Sequence, residues 1–227
     1  PYCSNINVDK LKKTIGEENV KTGCIGACRS FSKEAVGKIN GELVIKQTED
    51  EFLDAIASAL QGGVDILMLR EKIIPDNVIV ELGHKIRTLC DEYGTTFIIN
   101  DRADIAHIVE ADGVHLGEND ISVPDAREVL GHNAIIGKTV TNPDDVIQAV
   151  NDGADYVIIV NNDSIDFEMI KWIYENIDIP TFVTGAIGLD DTAELVARGV
   201  QKIAITEPIM YAKSPEHAAR GFLRHLP

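Results

Sequence analysis

From residue 42 onward the chain alternates short β-branched apolar runs with longer stretches in which apolar residues recur three and four positions apart. The first pattern suits a strand buried on both faces, and the second an amphipathic helix. Eight strand-like runs stand out: ELVIK (42–46), DILMLR (65–70), TFIIND (96–101), GVHLG (113–117), AIIGKTV (134–140), YVIIV (156–160), TFVTG (181–185) and KIAIT (202–206). Helical spacing falls between them at 49–60, 76–93, 123–130, 143–150, 167–176 and 191–198. Asn142 ahead of Pro143 and Asp190 ahead of Asp191 read as helix N-caps. Strands alternating with helices in this way belong to parallel βα units.

A weaker repeat overlies this pattern. The phrases GGVD (62–65), EADG (110–113), DGAD (152–155) and RGVQ (198–201) each close a helix and open every second strand, about 45 residues apart. That spacing behaves like a fourfold (βα)2 unit, as in an eight-stranded barrel. An open doubly wound sheet would want a Gly-rich phosphate turn after its first strand, and GELVIKQTEDEF (41–52) has none. The expected fold is therefore α/β: a (βα)8 TIM barrel over residues 41–227, with ELVIK as its first strand. A short Cys-containing extension, residues 1–40, precedes it.

Composition narrows the function. With 227 residues, 44% hydrophobic and 26% charged, the chain is an ordinary globular protein with room for one large core. Asp and Glu outnumber Lys and Arg by 37 to 21, a formal charge of -16 that opposes binding to nucleic acid or anionic membranes. An anionic substrate then needs a local basic pocket. No apolar run approaches the roughly 20 residues that span a bilayer, and the stretch from Pro1 to Lys10 has no signal-peptide pattern, so a cytoplasmic protein is expected.

In a β/α barrel the strand C-termini and the loops after them form one face, and chemistry collects there. Arg70, Glu71 and Lys72 follow the DILML run, and Asn100, Asp101 and Arg102 follow FII. Glu118, Asn119 and Asp120 follow GVHLG, Lys138 and Thr139 sit on the next strand, and Asn161, Asn162 and Asp163 follow YVIIV. Any one of these suits a solvated loop. Together, Asp101 and Asp120 bring two carboxylates from adjacent strands, the oxygen ligation Mg2+ takes when it also holds a phosphate. Arg70 offers a planar fork for phosphate oxygens and Lys72 a point charge. The set predicts a site for a magnesium-bound diphosphate. His115, inside GVHLG, reads as structural, and His84, His107, His132, His217 and His225 lack metal-ligand spacing. Glu207-Pro208 reads as a helix start.

At GGVDILMLREK (62–72), FIINDRADIA (97–106), ADGVHLGENDIS (111–122) and DGADYVIIV (152–160) the chain resembles the thiamin phosphate synthase and thiazole tautomerase superfamily, over roughly residues 42–226. The resemblance implies Arg70 and Lys72 as the diphosphate-binding pair, Asn100 as a substrate-contacting amide, and Asp101 and Asp120 as magnesium ligands. Thr139 stands where the synthases usually carry a serine, and Gly185 where a glycine pair helps hold a thiazole phosphate. The implied reaction joins an aminopyrimidine methyl group to the nitrogen of a thiazole phosphate, with release of pyrophosphate. Small phosphorylated molecules are then the partners, and a homodimer the assembly considered.

The chain also departs from the family. Met68 replaces a Gln, the long loop after the sixth strand shrinks to NNDSIDFEM (161–169), the glycine pair reads Gly185-Ala186, and Thr141 replaces the tautomerase histidine. These changes fall on the thiazole side and leave two alternatives open: a non-catalytic or regulatory binder of a thiamin-precursor diphosphate, or a diphosphate hydrolase. Ahead of the barrel, Cys3, Cys24 and Cys28 resemble a fragment of the thioredoxin-like ferredoxins, one cysteine short of the usual four cluster ligands. Free thiols, a redox pair, metal binding and an assembly contact all remain open for them. Cys90 reads as core.

Overall fold

A computed structural model of the chain describes residues 49–72, 74–161 and 165–227, together with the backbone of strands at 23–28, 37–39 and 42–44. Seven strands form one curled, wholly parallel sheet: β4 (Ile66–Arg70), β5 (Thr96–Asn100), β6 (Gly113–Leu116), β7 (Ile135–Val140), β8 (Tyr156–Asn161), β9 (Thr181–Gly185) and β10 (Ile203–Ile205). β1 (Gly23–Cys28) pairs in parallel with both edges, Cys24 opposite Ile66 and Gly23 opposite Ile203, which closes the sheet into a barrel. β2 (Gly37–Ile39) and β3 (Glu42–Val44) form a separate antiparallel pair.

The first strand thus departs from expectation. ELVIK is not the stave beside β4; its first residues pair with Gly37–Ile39, and the closing stave comes from the stretch assigned to the extension. Periodicity marks a strand without naming its partner. Asn40-Gly41, lying between the paired Ile39 and Glu42, is a strong hairpin signal. GCIGAC, with one β-branched residue among small ones, announces no strand by pattern. Cys24 and Cys28 stand on this strand, and Cys3 lies outside the described residues.

Nine helices are described around the sheet: α1 (Glu49–Gln61), α2 (Asp76–Tyr93), α3 (Ala103–Ile108), α4 (Val123–Leu130), α5 (Pro143–Asn151), α6 (Phe167–Asn176), α7 (Leu189–Ala197), α8 (Glu207–Met210) and α9 (Pro215–Leu223). Their starts follow cap chemistry. Ser122 and Asn142 accept the amide N–H of Asp125 and Asp145, each ahead of a Pro that suits the first helical turn. α7 starts earlier than expected: Gly188, not Asp190, is its N-cap, and the Gly188 N–H donates to the Asp191 carboxylate at 2.8 Å.

Alternation along the strands divides the apolar residues into two cores. Ile66, Met68, Ile98, Ile135, Tyr156, Ile158, Phe182 and Ala204 fill the barrel interior, and a larger cluster that includes Phe52, Ile86, Phe97, Val114, Val157 and Leu195 lies between strands and helices. Cys90 is fully buried on α2, as expected. Gly137 makes the inner packing possible, since a Cβ there would lie 2.0 Å from the Tyr156 ring. The helical layer is joined end to end where α9 packs on α1, and the Glu216 N–H donates to Ser58 Oγ at 3.2 Å.

Candidate active site

The strand C-termini surround an open cavity of about 420 Å³, and Arg70, Lys72, Asn100, Asp101, Asp120, Thr139 and Gly185 all line it. The strand-end rule explains why residues so far apart in sequence meet. Each ends a strand or begins the loop after it, on the same face of a parallel sheet.

The carboxylates occupy the β5 and β6 side. Asp101 directly follows β5 with φ of 66°, a left-handed conformation uncommon for a residue with a side chain, and its N–H donates to the His115 carbonyl at 2.8 Å. Asn100 is buried and donates through Nδ2 to Asp101 Oδ1. Lys72 Nζ lies 3.1 Å from Asp101 Oδ2. Asp120 closes a turn on itself by accepting the Gly117 N–H at 2.6 Å. Its carboxyl neighbours that of Asp101, and the Asp101 carboxyl is held above the usual range. Burial is the main cause, the Asp120 contact adds to it, and Lys72 opposes it.

On the next strands, Thr139 Oγ1 lies 2.9 Å from His115 Nε2. The His115 ring is buried against Tyr156, with centroids 5.5 Å apart, and its Nδ1 has no hydrogen-bond partner. Burial pushes its pKa down to about 3, helped by the nearby cations Lys138 and Arg70 and opposed by Asp120, so the imidazole is neutral at pH 7. Across the cavity, Thr184, Gly185 and Thr206 supply the wall from β9 and the end of β10. Gly185 has φ of 148°, which favours glycine. Thr184 Oγ1 donates to the Ala204 carbonyl at 2.9 Å.

The structure adds residues that the sequence reading did not assign to the site. His115, read as structural, is buried and also lines the cavity, as do Met68, Gly117, Thr184 and Thr206. Thr184 and Thr206 follow the same strand-end rule as the others, and that rule applied evenly finds them. Asn162 and Asp163 lie outside the described residues. Among the described residues there is no group of three or more His, Cys, Asp or Glu that could hold a metal ion. No described helix is long and apolar enough to cross a membrane.

Fold and site together define a β/α-barrel protein with a small, charged mouth in which two cations, Arg70 and Lys72, and three carboxylates, Asp101, Glu118 and Asp120, face an apolar and hydroxyl-bearing wall. The chain belongs to the thiamine monophosphate synthase family, whose model matches residues 42–209. It is 31% identical to the thiamine-phosphate synthase of Thermosynechococcus vestitus over 192 residues, 81% of this chain and 55% of that protein. It is 35% identical to that of Natronomonas pharaonis over 179 residues, 74% of this chain and 84% of the relative. Among solved structures, a thiamine phosphate pyrophosphorylase from Pyrococcus furiosus superposes with a TM-score of 0.74 and 26% identity, covering 90% of this chain and 95% of that one. The chain spans about half the length of the cyanobacterial relatives it matches first.

Proposed function

We propose that this protein is a magnesium-dependent transferase that joins an aminopyrimidine methyl diphosphate to a thiazole phosphate and releases pyrophosphate. The observation that carries this reading is the Asp101–Asp120 contact beside Lys72 and Arg70 at the mouth of a barrel of this family. Two carboxylates held against each other under-neutralise the site, and a divalent cation relieves their repulsion. Mg2+ commonly takes one or two carboxylates and completes its shell with phosphate and water, so Asp101 and Asp120 suffice for it. Asp101 and Asp120 would hold the ion, and when bound it would supply neutralisation of charge on the departing diphosphate.

The chain's own residues perform the rest. Arg70 and Lys72 bind the diphosphate oxygens. As the methylene C–O bond breaks, its electron pair leaves with the diphosphate, and these cations stabilise the charge that develops there. The thiazole nitrogen then donates its lone pair to the methylene carbon and forms the C–N bond. Neutral His115 adds no positive charge beside the electron-poor pyrimidine, and its contact with Thr139 keeps that hydroxyl in place. Asn100 fixes Asp101, while Thr139 and Gly185 bound the space for the acceptor.

The test is turnover with purified protein. Pyrophosphate release that requires Mg2+, the pyrimidine diphosphate and the thiazole phosphate together supports the reading. Diphosphate binding without turnover identifies a regulatory binder, and release without the thiazole partner identifies a hydrolase; either result overturns it. A cytoplasmic homodimer completes the proposal, with sedimentation as the check on assembly.

The reading also takes residues 41–227 as the working unit, supported by a family match that runs over residues 42–209. Gly23–Cys28 fills the slot between β4 and β10, and Glu42–Val44 is the strand that would take its place were it removed. Deleting residues 1–40 is expected to leave a cooperatively folding, active protein; loss of folding shows Gly23–Cys28 to be indispensable.

A further inference from the structure

Lys138 stands on β7, partly buried, next to Leu116 in the β6–β7 register. Among the described residues its ammonium is in no ion pair; it donates instead to the neutral carbonyl of Gly117, at 2.6 Å. A partly buried cation held on a single neutral carbonyl calls for a reason, since taking charge out of water without a charged partner is costly.

The reason lies in the turn that Gly117 opens. The Gly117 N–H donates to Asp120 Oδ2 at 2.6 Å, and its carbonyl accepts from Lys138 and, at 3.4 Å, from the Asp120 N–H. Both polar groups of one peptide residue are therefore held from outside the β6 ladder. The turn is tight as well: a Cβ on Gly117 would lie 3.1 Å from Asp120 Oδ2. Asp120 is the carboxylate that faces Asp101. Lys138 lines a second cavity of about 460 Å³, together with Asn142 and Asp145, and does not line the mouth that holds Arg70 and Lys72. The two cavities share Asp120 and Thr139, and the Lys138 ammonium reaches the turn from the second one, through the Gly117 carbonyl.

We propose that Lys138 is a positioning residue: by holding the Gly117 carbonyl it fixes the turn that aims the Asp120 carboxylate at Asp101. This rests on the reading of those two carboxylates as a divalent-cation site. The sign of the effect separates positioning from charge. If Lys138 acted by Coulomb repulsion alone, removing it would tighten binding of a cation; if it positions Asp120, removing it weakens binding.

The experiment is titration of Mn2+ into the full chain without substrates, with free Mn2+ followed by electron paramagnetic resonance. Lys138→Met keeps the length of the side chain and removes the donor, and is expected to bind Mn2+ about tenfold more weakly, the scale on which supporting partners of metal ligands act. Lys138→Arg, which still donates to a carbonyl, stays near wild type. The Mg2+ concentration for half-maximal turnover rises in the same order, while the melting temperature does not follow it. Unchanged or tighter Mn2+ binding by Lys138→Met overturns the inference alone. A wild-type protein that takes up no Mn2+ overturns the cation site and the inference with it. Should Lys138→Met fail to fold, Lys138→Leu, which likewise carries no donor, makes the same comparison.

Discussion

Aspartates stand at strand boundaries at both ends of the barrel, and the two ends treat them in opposite ways. At the N-terminal end, Asp112 Oδ2 accepts from Arg87 Nη1 at 2.8 Å and from the Phe97 N–H at 2.7 Å. Asp155 repeats the arrangement, with Arg127 Nη2 at 2.8 Å and the Ile136 N–H at 2.9 Å. Each carboxylate there meets one guanidinium from a helix and one amide from the neighbouring strand. At the C-terminal end, Asp101 and Asp120 face one another beside Lys72, and Asp101 sits at a left-handed φ. Acidic groups that hold the fold are neutralised within the chain, whereas those at the mouth leave charge for something outside it.

The comparison breaks first at the mouth. Asp101→Asn keeps a residue that tolerates the left-handed conformation but removes the charge, and turnover is expected to fall about a thousandfold, roughly 4 kcal/mol of transition-state stabilisation. The melting temperature should hold or rise, because a like-charge contact has been relieved. Asp120→Asn should behave alike. Steady-state kinetics and calorimetry on the same preparations check both halves, and full activity removes that residue from the site.

At the other end the expected losses change places. Asp112→Ala leaves the part-buried Arg87 guanidinium with Asp91 alone, 2.8 Å away and largely exposed, and the Phe97 N–H without its acceptor. A loss of about 3 kcal/mol in stability is expected, at the lower end for breaking a buried pair. It is read from the urea midpoint, with turnover per folded molecule unchanged. A variant of normal stability but lost activity would erase the division between the two ends.

Asp65 sharpens the comparison, because it opens β4 at the place in the repeat that Asp112 and Asp155 hold before β6 and β8. Its Oδ2 has no hydrogen-bond partner, and burial lifts its pKa from 3.8 to about 6 against the pull of Lys202. A carboxyl raised in the folded state favours folding while protonated. That contribution is full below pH 3.8 and lost as pH rises through about 6. Asp65→Asn should therefore match wild type near pH 4 and exceed its stability at pH 7, by about 1 kcal/mol once solvent screening is allowed for. Denaturation midpoints across that window check the sign, and equal curves at both pH values would return Asp65 to the clasped class.

How much of this was legible in the chain depends on the range over which each feature is decided. TFVTG and the stretch 76–93 match β9 and α2 at both ends, because period and turn residues are local. α3, with six residues, is too short to show a helical period, and β1 lacks the β-branched residues that mark a strand. At the mouth, residues that end strands on one face of a parallel sheet were bound to meet, which placed Arg70 and Gly185 in one cavity across more than a hundred residues. The clasps were not legible. Arg87 finds Asp112, and Arg127 finds Asp155, only through the way a helix lies on its strands, and no spacing encodes that. Nor does the sequence mark the donor that Lys138 directs at Gly117.

The smallest expected effect lies in the fourth repeat, where Gln201 replaces the aspartate. No carboxylate is present to draw an arginine, and the helix α6 offers a phenol instead: the Gln201 N–H donates to Tyr174 Oη at 3.3 Å. Burial raises the Tyr174 pKa, so the phenol stays neutral and accepts without charge assistance. One long neutral hydrogen bond at an exposed amide contributes little. Tyr174→Phe, which keeps the ring and its packing, should cost only about 0.5 kcal/mol, against the several expected from Asp112→Ala. A loss near 3 kcal/mol in urea denaturation would place this fourth joint on a par with the charged clasps, and the N-terminal end would then owe its strength to the repeat geometry rather than to its ion pairs.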